Sequence, residues 1–175
     1  FLGFLWNIYI AKYTSSNMKL AIKKGVGFGL TSGVITTLGL IIGLNAGTHS
    51  KMIIIAGILT IAIADAFSDA LGIHVSEESQ KDTTNKEIWA STISTFFSKL
   101  IIALTFLIPV MVFTLTIAIY ISLILGIFLI SLFSFYIAKE NKTKPIKIIS
   151  EHIFITLIVL IITHNIGLFI STMFS

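Results

Sequence analysis

The sequence predicts an all-α membrane protein with five transmembrane helices. Of its 175 residues, 55% are hydrophobic and 11% are charged, which is too little charge to cover the surface of a soluble domain. The apolar residues lie in stretches long enough for five spans of about 20 residues each. The sequence contains no cysteine, which excludes disulfides, iron–sulfur clusters and thiolate zinc sites.

The polar segments and turns of the sequence divide the apolar residues into spans. Residues 45–50 form a predicted turn, and the polar segments 76–87 and 139–145 precede the third and fifth spans. The third and fourth spans share one apolar stretch, residues 88–138, in which Pro109 is expected to kink or end the third span. The predicted spans are approximately residues 24–46, 52–75, 89–112, 115–138 and 148–174.

Residues 1–18 are predicted to form an N-terminal interfacial segment that precedes the transmembrane domain, residues 19–175. The apolar stretch from Phe1 to Ala11 ends at Lys12, too early for a span, so we expect a helix lying on the bilayer. A truncated first span is the alternative. The tryptophan and tyrosines expected at the lipid headgroups are Trp6, Tyr9 and Tyr13.

The distribution of lysine predicts the orientation in the membrane. With five spans, the flanking lysines fall on one side except Lys51. That side is predicted to be cytoplasmic, with the N-terminus inside and the C-terminus outside an integral membrane protein, in a prokaryotic plasma membrane. The net charge of +4 is a topology signal, so we expect membrane lipid and no nucleic acid as a partner. These lysines are Lys12, Lys19, Lys23, Lys24, Lys81, Lys86, Lys139, Lys142, Lys144 and Lys147.

The first span carries a face of small residues. At about 100° per residue its glycines fall within an arc of about 120°, and Ser32 and Thr36 share that arc. Small residues at this spacing allow another helix to approach closely, and the same face could line a polar pathway. The glycines are Gly25, Gly29, Gly33, Gly39, Gly43 and Gly47.

The second span contains two acids, Asp65 and Asp69, one helical turn apart. Each costs about 2.5–3.5 kcal/mol at the centre of a membrane helix on insertion scales, so a function is the default interpretation. Paired carboxylates suit a divalent cation or proton exchange. Lys99 of the third span is the rival explanation, because an ion pair with either acid would be structural and would need no metal.

Further polar residues follow at the predicted cytoplasmic end of the second span. We expect His74, Glu77 and Glu78 to form a vestibule that gathers cations; an ordinary solvated helix end is the alternative. The candidate metal ligands are therefore Asp65, Asp69, Glu77, Glu78 and His74, and the candidate pathway residues are Ser32, Thr36, Asp65, Asp69 and Lys99. No motif of a known nucleophile, zinc or phosphate site occurs, so we expect no enzyme.

Two segments resemble the vacuolar iron transporter family. Residues 29–44, GLTSGVITTLGLIIGL, are similar to its first-helix signature, and residues 56–82 are similar to its second-helix signature. Residues 108–109 and 163–167 resemble its weaker later patterns. The resemblance implies a five-helix protomer that forms a homodimer with a pore at the interface. It also implies export of Fe²⁺, and often Mn²⁺, from the cytosol in exchange for protons.

The sequence departs from the family at several positions. The family acid of helix one aligns with Ser32, the family methionine of helix two aligns with Asp69, and Asp65 is an additional acid. His74 stands where the family has an aromatic residue. The link between spans two and three is short, so the resemblance is to a divergent, short prokaryotic-type member without the long cytoplasmic metal-binding insertion.

These observations predict a proton-coupled transporter of a divalent cation, with Fe²⁺ or Mn²⁺ as substrate and no permanently bound cofactor. One alternative is a non-transporting membrane protein that senses a metal or binds a partner. It predicts Asp65 and Asp69 buried against Lys99, with no polar path. A second alternative is a transporter of another small cation, which predicts a wide cavity lined by aromatic residues.

Overall fold

The computed structural model describes the backbone of residues 2–174 and the side chains of residues 16–174. The chain is helical, with short connections. The helices are α1 (Leu2–Thr48), α2 (Lys51–Glu78), α3 (Asn85–Thr105), α4 (Leu107–Val112), α5 (Leu115–Glu140) and α6 (Pro145–Met173). The segments long and apolar enough to cross a membrane are Ser16–Thr48, Lys51–Glu78, Asn85–Val112, Leu115–Glu140 and Pro145–Met173. The prediction of five membrane-spanning helices is therefore confirmed by length and composition.

The predicted interfacial segment and the first span belong to one helix, because α1 runs without a break from Leu2 to Thr48. The side chains of Trp6, Tyr9 and Tyr13 lie outside the described residues. The location of this segment at the lipid headgroups therefore stays a prediction.

Side-chain caps fix where two of the helices begin. Ser50 precedes α2, and its hydroxyl accepts a hydrogen bond from the Ile53 N–H at 3.4 Å. Thr84 and Glu87 form a reciprocal capping box at the start of α3, in which the Glu87 carboxylate accepts from the Thr84 N–H at 2.9 Å. These caps satisfy backbone donors that the first helical turn cannot pair internally.

The third span is interrupted between α3 and α4. Pro109 has no N–H to donate to the carbonyl of Thr105, and its ring crowds that carbonyl. The helix changes at Phe106, whose N–H donates to the carbonyl of Ala103, three residues earlier, at 3.2 Å. Lys51 of α2 holds the end of α4, because its ammonium donates to the carbonyls of Met111 and Phe113 at 3.1 Å and 2.9 Å.

Helix α1 is the central helix of the bundle, and its glycines allow two other helices to approach it. A Cβ atom on Gly29 would lie 2.5 Å from the carbonyl oxygen of Thr95, and one on Gly43 would lie 3.1 Å from that of Thr163. The two groups of glycines therefore contact different helices at different depths. Gly25, Gly29 and Gly33 lie against α3, and Gly39, Gly43 and Gly47 lie against α6.

The connections define two ends of the bundle. The lysine-rich end holds residues 19–24, the α2–α3 connection and the α5–α6 connection. The opposite end holds the α1–α2 turn, where His49 has a φ of 51°, and the α4–α5 connection. The flanking lysines of the described spans collect at one end, apart from Lys51.

The close approach of α1 and α3 predicts an effect of adding one methyl group. We expect Gly29→Ala to lower the free energy of unfolding by about 1–3 kcal/mol, because the new Cβ would overlap the backbone of α3. The control is Ser150→Ala, since Ser150 is exposed near the start of α6 and surface substitutions usually change stability by less than about 0.5 kcal/mol. The thermal midpoint of each variant in detergent measures the difference. Equal midpoints for the two variants would contradict the close packing.

Candidate functional site

Three helices bring polar side chains together in the middle of the bundle. Ser32 comes from α1, Asp65 and Asp69 come from α2, and Lys99 comes from α3. Asp65 lies near the midpoint of α2, which spans Lys51–Glu78. At 1.5 Å per residue it is therefore about 20 Å from either end of that helix. We call these four residues the central cluster.

The ammonium of Lys99 is the hub of the central cluster. Its Nζ lies 2.6 Å from Oδ2 of Asp65, forms an ion pair with Oδ2 of Asp69, and donates to the Ser32 hydroxyl at 2.9 Å. The Ser32 hydroxyl in turn donates to Oδ2 of Asp69 at 2.6 Å. A lysine ammonium has three hydrogens to donate. Each of them has an acceptor here.

Burial differs between the partners of this cluster. Lys99 is 1% exposed, whereas the side chains of Asp65 and Asp69 are 30% and 19% exposed. An unpaired ammonium at the position of Lys99 would carry a desolvation penalty of several kcal/mol. The two carboxylates offset that penalty and, when all three groups are ionised, leave one negative charge in excess.

The remaining pathway residue, Thr36, lies on α1 one turn beyond Ser32. Its hydroxyl donates to the carbonyl of Ser32 at 2.9 Å. This bond within α1 relieves the hydroxyl of the need for another partner in an apolar setting.

The structure does not join the other candidate metal ligands to the central cluster. Glu77 is 4% exposed and accepts from Lys24 at 3.2 Å and 3.3 Å. Glu78 is exposed at the end of α2. Among the residues whose side chains are described, no three His, Cys, Asp or Glu residues lie close enough to hold a metal ion. One protomer therefore does not gather the five candidate ligands.

His74 points to α3 rather than to the acids. Its Nδ1 atom lies 2.9 Å from the Thr92 hydroxyl, and its ring packs edge-on against Trp89 at 5.0 Å between centroids. It lines an apolar groove of about 470 Å³ between α2 and α3, together with Phe67 and Phe96.

A polar cavity at the lysine-rich end includes Glu77 of the predicted vestibule, but His74 and Glu78 are not among its lining residues. It has a volume of about 240 Å³ and lies between α1, α2 and the α2–α3 connection. Its charged residues are Lys24, Glu77, Lys81, Asp82 and Glu87. The sequence analysis missed Glu87, although the Thr84-x-x-Glu87 pattern before an apolar run is a recognisable capping signal. It also missed the pairing of Lys24 with Glu77, for which the sequence carries no local signal.

The outward face of α2 carries a row of small residues that the sequence analysis also missed. All six are exposed, and they recur at every fourth position. Such a row is the pattern at which membrane helices approach closely, and the repeat itself was the available signal. The row passes beside Asp65 and Asp69. We call it the α2 small-residue face; its members are Ala56, Thr60, Ala64, Ser68, Gly72 and Ser76.

The fold and the central cluster indicate the general class of protein. Ionisable residues within membrane spans are rare and usually mark a pathway for ions or protons. The protein is thus an integral membrane protein with five helices able to span the bilayer and with charged groups in its interior.

A comparison with family models adds a similarity over part of the chain. Residues 23–90 match the model of the VIT family, which supports the resemblance to vacuolar iron transporters found in the sequence. The match suggests, at a coarse level, a metal-ion transporter. The matched region contains Ser32, Asp65 and Asp69 and ends before Lys99. A comparison with curated proteins gave no match.

Two adjacent lysines allow the buried ion pair at the lysine-rich end to be tested. We expect Lys24→Met to lower the free energy of unfolding by about 1–3 kcal/mol, because it would leave the buried carboxylate of Glu77 without its cation. The control is Lys23→Met, since Lys23 pairs with Glu140 where both side chains are more than a third exposed. Such surface pairs contribute about 0–1 kcal/mol. The measurement is the thermal midpoint of each variant in detergent. An equal decrease for both variants would contradict the stabilisation of the buried Glu77 carboxylate by Lys24.

Proposed function

We propose that the protein is a homodimeric transporter of a divalent metal cation of the Fe²⁺ or Mn²⁺ type, and that it exports the cation from the cytosol in exchange for protons. The observation that carries the proposal is that Asp65 and Asp69, two carboxylates in the middle of a span, share one ammonium. Charge in this position is costly to maintain in hydrocarbon, and the family match supports metal-ion transport at the coarse level.

The α2 small-residue face supports the homodimer. Two copies of α2 could approach closely along it, and the approach would bring the partly exposed Asp65 and Asp69 of both copies toward one axis. Such a dimer would hold four carboxylates and two ammonium groups near the axis, a net charge of −2 when all are ionised. This charge balances one divalent cation.

The ligand chemistry supports a hard or borderline cation. Carboxylate and hydroxyl oxygens suit Mn²⁺ and Fe²⁺, whereas thioether and thiolate sulfur suit softer ions. Asp69 stands where the resemblance places a methionine, so this pathway would offer oxygen in place of sulfur. Paired carboxylates also exchange protons as a coupled unit, and this property would link metal movement to proton movement.

The polar cavity at the lysine-rich end is the proposed cytoplasmic entrance. Glu77 lies about two helical turns from Asp69 along α2, and Glu78 is exposed beside it. Anionic groups lining such an entrance raise the local concentration of cations. Lys24 would have to release Glu77 before that carboxylate could contact the ion.

The pairing with Lys99 supports a second candidate, a membrane protein that senses a metal or binds a partner without transport. In that case the central cluster is a structural ion pair. The partial exposure of Asp65 and Asp69 favours transport, because a structural pair would bury both carboxylates with the ammonium.

A transporter of another small cation is the remaining alternative. The groove between α2 and α3 offers Phe67, His74, Trp89 and Phe96 to such a ligand. Among its described lining residues there is no carboxylate, so an organic cation would find aromatic faces without a compensating charge. The divalent metal is therefore the preferred substrate.

Flux into proteoliposomes tests the transport proposal. We expect the wild-type protein to move Fe²⁺ or Mn²⁺ with opposite movement of protons, followed by a metal-sensitive and a pH-sensitive dye. Asp65→Asn and Asp69→Asn should each reduce the flux at least about tenfold, because each removes a charged oxygen ligand. Glu151→Gln, on an exposed turn of α6, is the matched control and should retain the flux.

The outcomes separate the candidates. Absence of flux for both metals in folded wild-type protein would contradict transport and favour the sensing or partner-binding protein. Flux of an organic cation without metal flux would favour the third candidate. Metal flux with no proton movement would retain the transporter and reject the exchange.

The absence of cysteine from the sequence allows a direct test of the dimer. A single Ser68→Cys variant should form a disulfide-linked dimer in membranes treated with a mild oxidant, because residue 68 would face its own copy across the axis. Thr116→Cys, exposed at the start of α5, is the control and should stay monomeric on a non-reducing gel. Equal cross-linking of both variants would argue against α2 as the interface.

A further inference from the structure

We propose that Lys99 is a tethered cation that occupies the metal position when the site is empty and competes with the metal for Asp65 and Asp69. Its role would be to limit how tightly the metal is held and so to speed its release. This inference rests on the proposed metal transport.

The first argument is geometric. The ammonium of Lys99 lies 2.6 Å from Oδ2 of Asp65 and also pairs with Oδ2 of Asp69. A metal bound by these oxygens would need them at about 2.0–2.6 Å. Two cations cannot both bind the same pair of oxygen atoms at these distances, because their mutual repulsion would be large in a site of low dielectric constant. A metal that binds these Oδ2 atoms therefore requires Nζ to move away from them.

The second argument is the balance of charge. One carboxylate would neutralise one buried lysine, but the cluster provides two. Among the described residues, Asp65 and Asp69 are the charged groups that pair with Lys99, and α1 contributes the uncharged Ser32 hydroxyl. A purely structural pair does not need the second carboxylate. The excess negative charge points to a second, exchangeable cation.

The third argument concerns direction. The ammonium reaches the two acids from inside the bundle, where Lys99 is 1% exposed. The side chains of Asp65 and Asp69 are 30% and 19% exposed. An entering cation would therefore reach the two acids from their exposed part, whereas the ammonium reaches them from the buried interior. The flexible side chain of Lys99 would allow the displaced ammonium to move. The Ser32 hydroxyl would remain as an acceptor for it.

The proposal predicts opposite effects of two substitutions. Lys99→Gln removes the competing charge, so we expect the protein to bind metal about tenfold more tightly and to release it more slowly. Lys99→Arg replaces a compact ammonium by a planar group that binds carboxylates bidentately and persistently, so we expect about tenfold weaker metal binding. A structural role predicts the reverse order, with arginine tolerated and glutamine harmful.

Binding of Mn²⁺ to the full-length protein in detergent tests the proposal, with free Mn²⁺ measured by electron paramagnetic resonance. Tighter binding by Lys99→Gln than by wild type, and weaker binding by Lys99→Arg, would support the tethered cation. Lys51→Gln is the control, because Lys51 contacts carbonyls at the opposite end of the bundle, and it should bind as the wild type does. Should Lys99→Gln fail to fold, Lys99→Arg still decides, because a structural role predicts that the arginine variant binds Mn²⁺ as the wild type does.

The outcomes distinguish this inference from the proposed function. If wild type binds Mn²⁺ while Lys99→Gln binds it equally or less tightly, or Lys99→Arg binds as wild type does, the tethered cation is rejected and metal transport stands. If no variant with intact Asp65 and Asp69 binds Mn²⁺, the metal site itself is rejected.

Discussion

The ion pairs of Lys99 with Asp65 and Asp69 are the interaction on which the arrangement of α1, α2 and α3 depends. In the middle of a membrane domain a lone charge finds no water, so the acids of α2 and the lysine of α3 must find each other. This requirement fixes the rotation of both helices about their axes. The pairing also leaves one negative charge in excess when all three groups are ionised. This charge links the packing of the helices to the proposed transport of a cation.

The glycines of α1 make this arrangement possible. Gly29 and Gly33 bring the backbone of α1 against α3 beside Lys99, so the short side chain of Ser32 can reach both the ammonium and Asp69. A larger residue at either glycine would separate the helices and remove the hydroxyl from the network. The packing of α1 against α3 and the contacts of Ser32 are therefore two consequences of one small-residue face.

The candidate site was only partly accessible from the sequence. Asp65 and Asp69 stood out because acids are rare in apolar spans, and Lys99 stood out for the same reason. Glu77 and His74 were grouped with the acids because they follow on the same helix, but the structure turns them toward Lys24 and Thr92. Helical spacing gives the angle between side chains on one helix, whereas their partners depend on which helix lies opposite.

The sequence by itself determined the number of spans, the short connections and the presence of charged residues inside the apolar segments, because these follow from local composition and length. It could not determine whether Lys99 pairs with Asp65 and Asp69. That pairing depended on the rotation and depth of α3 relative to α2, which brought the ammonium to both acids. The tertiary structure also decided that one group of glycines in α1 contacts α3 and the other group contacts α6, since the contacts of a glycine depend on the helix that packs against it.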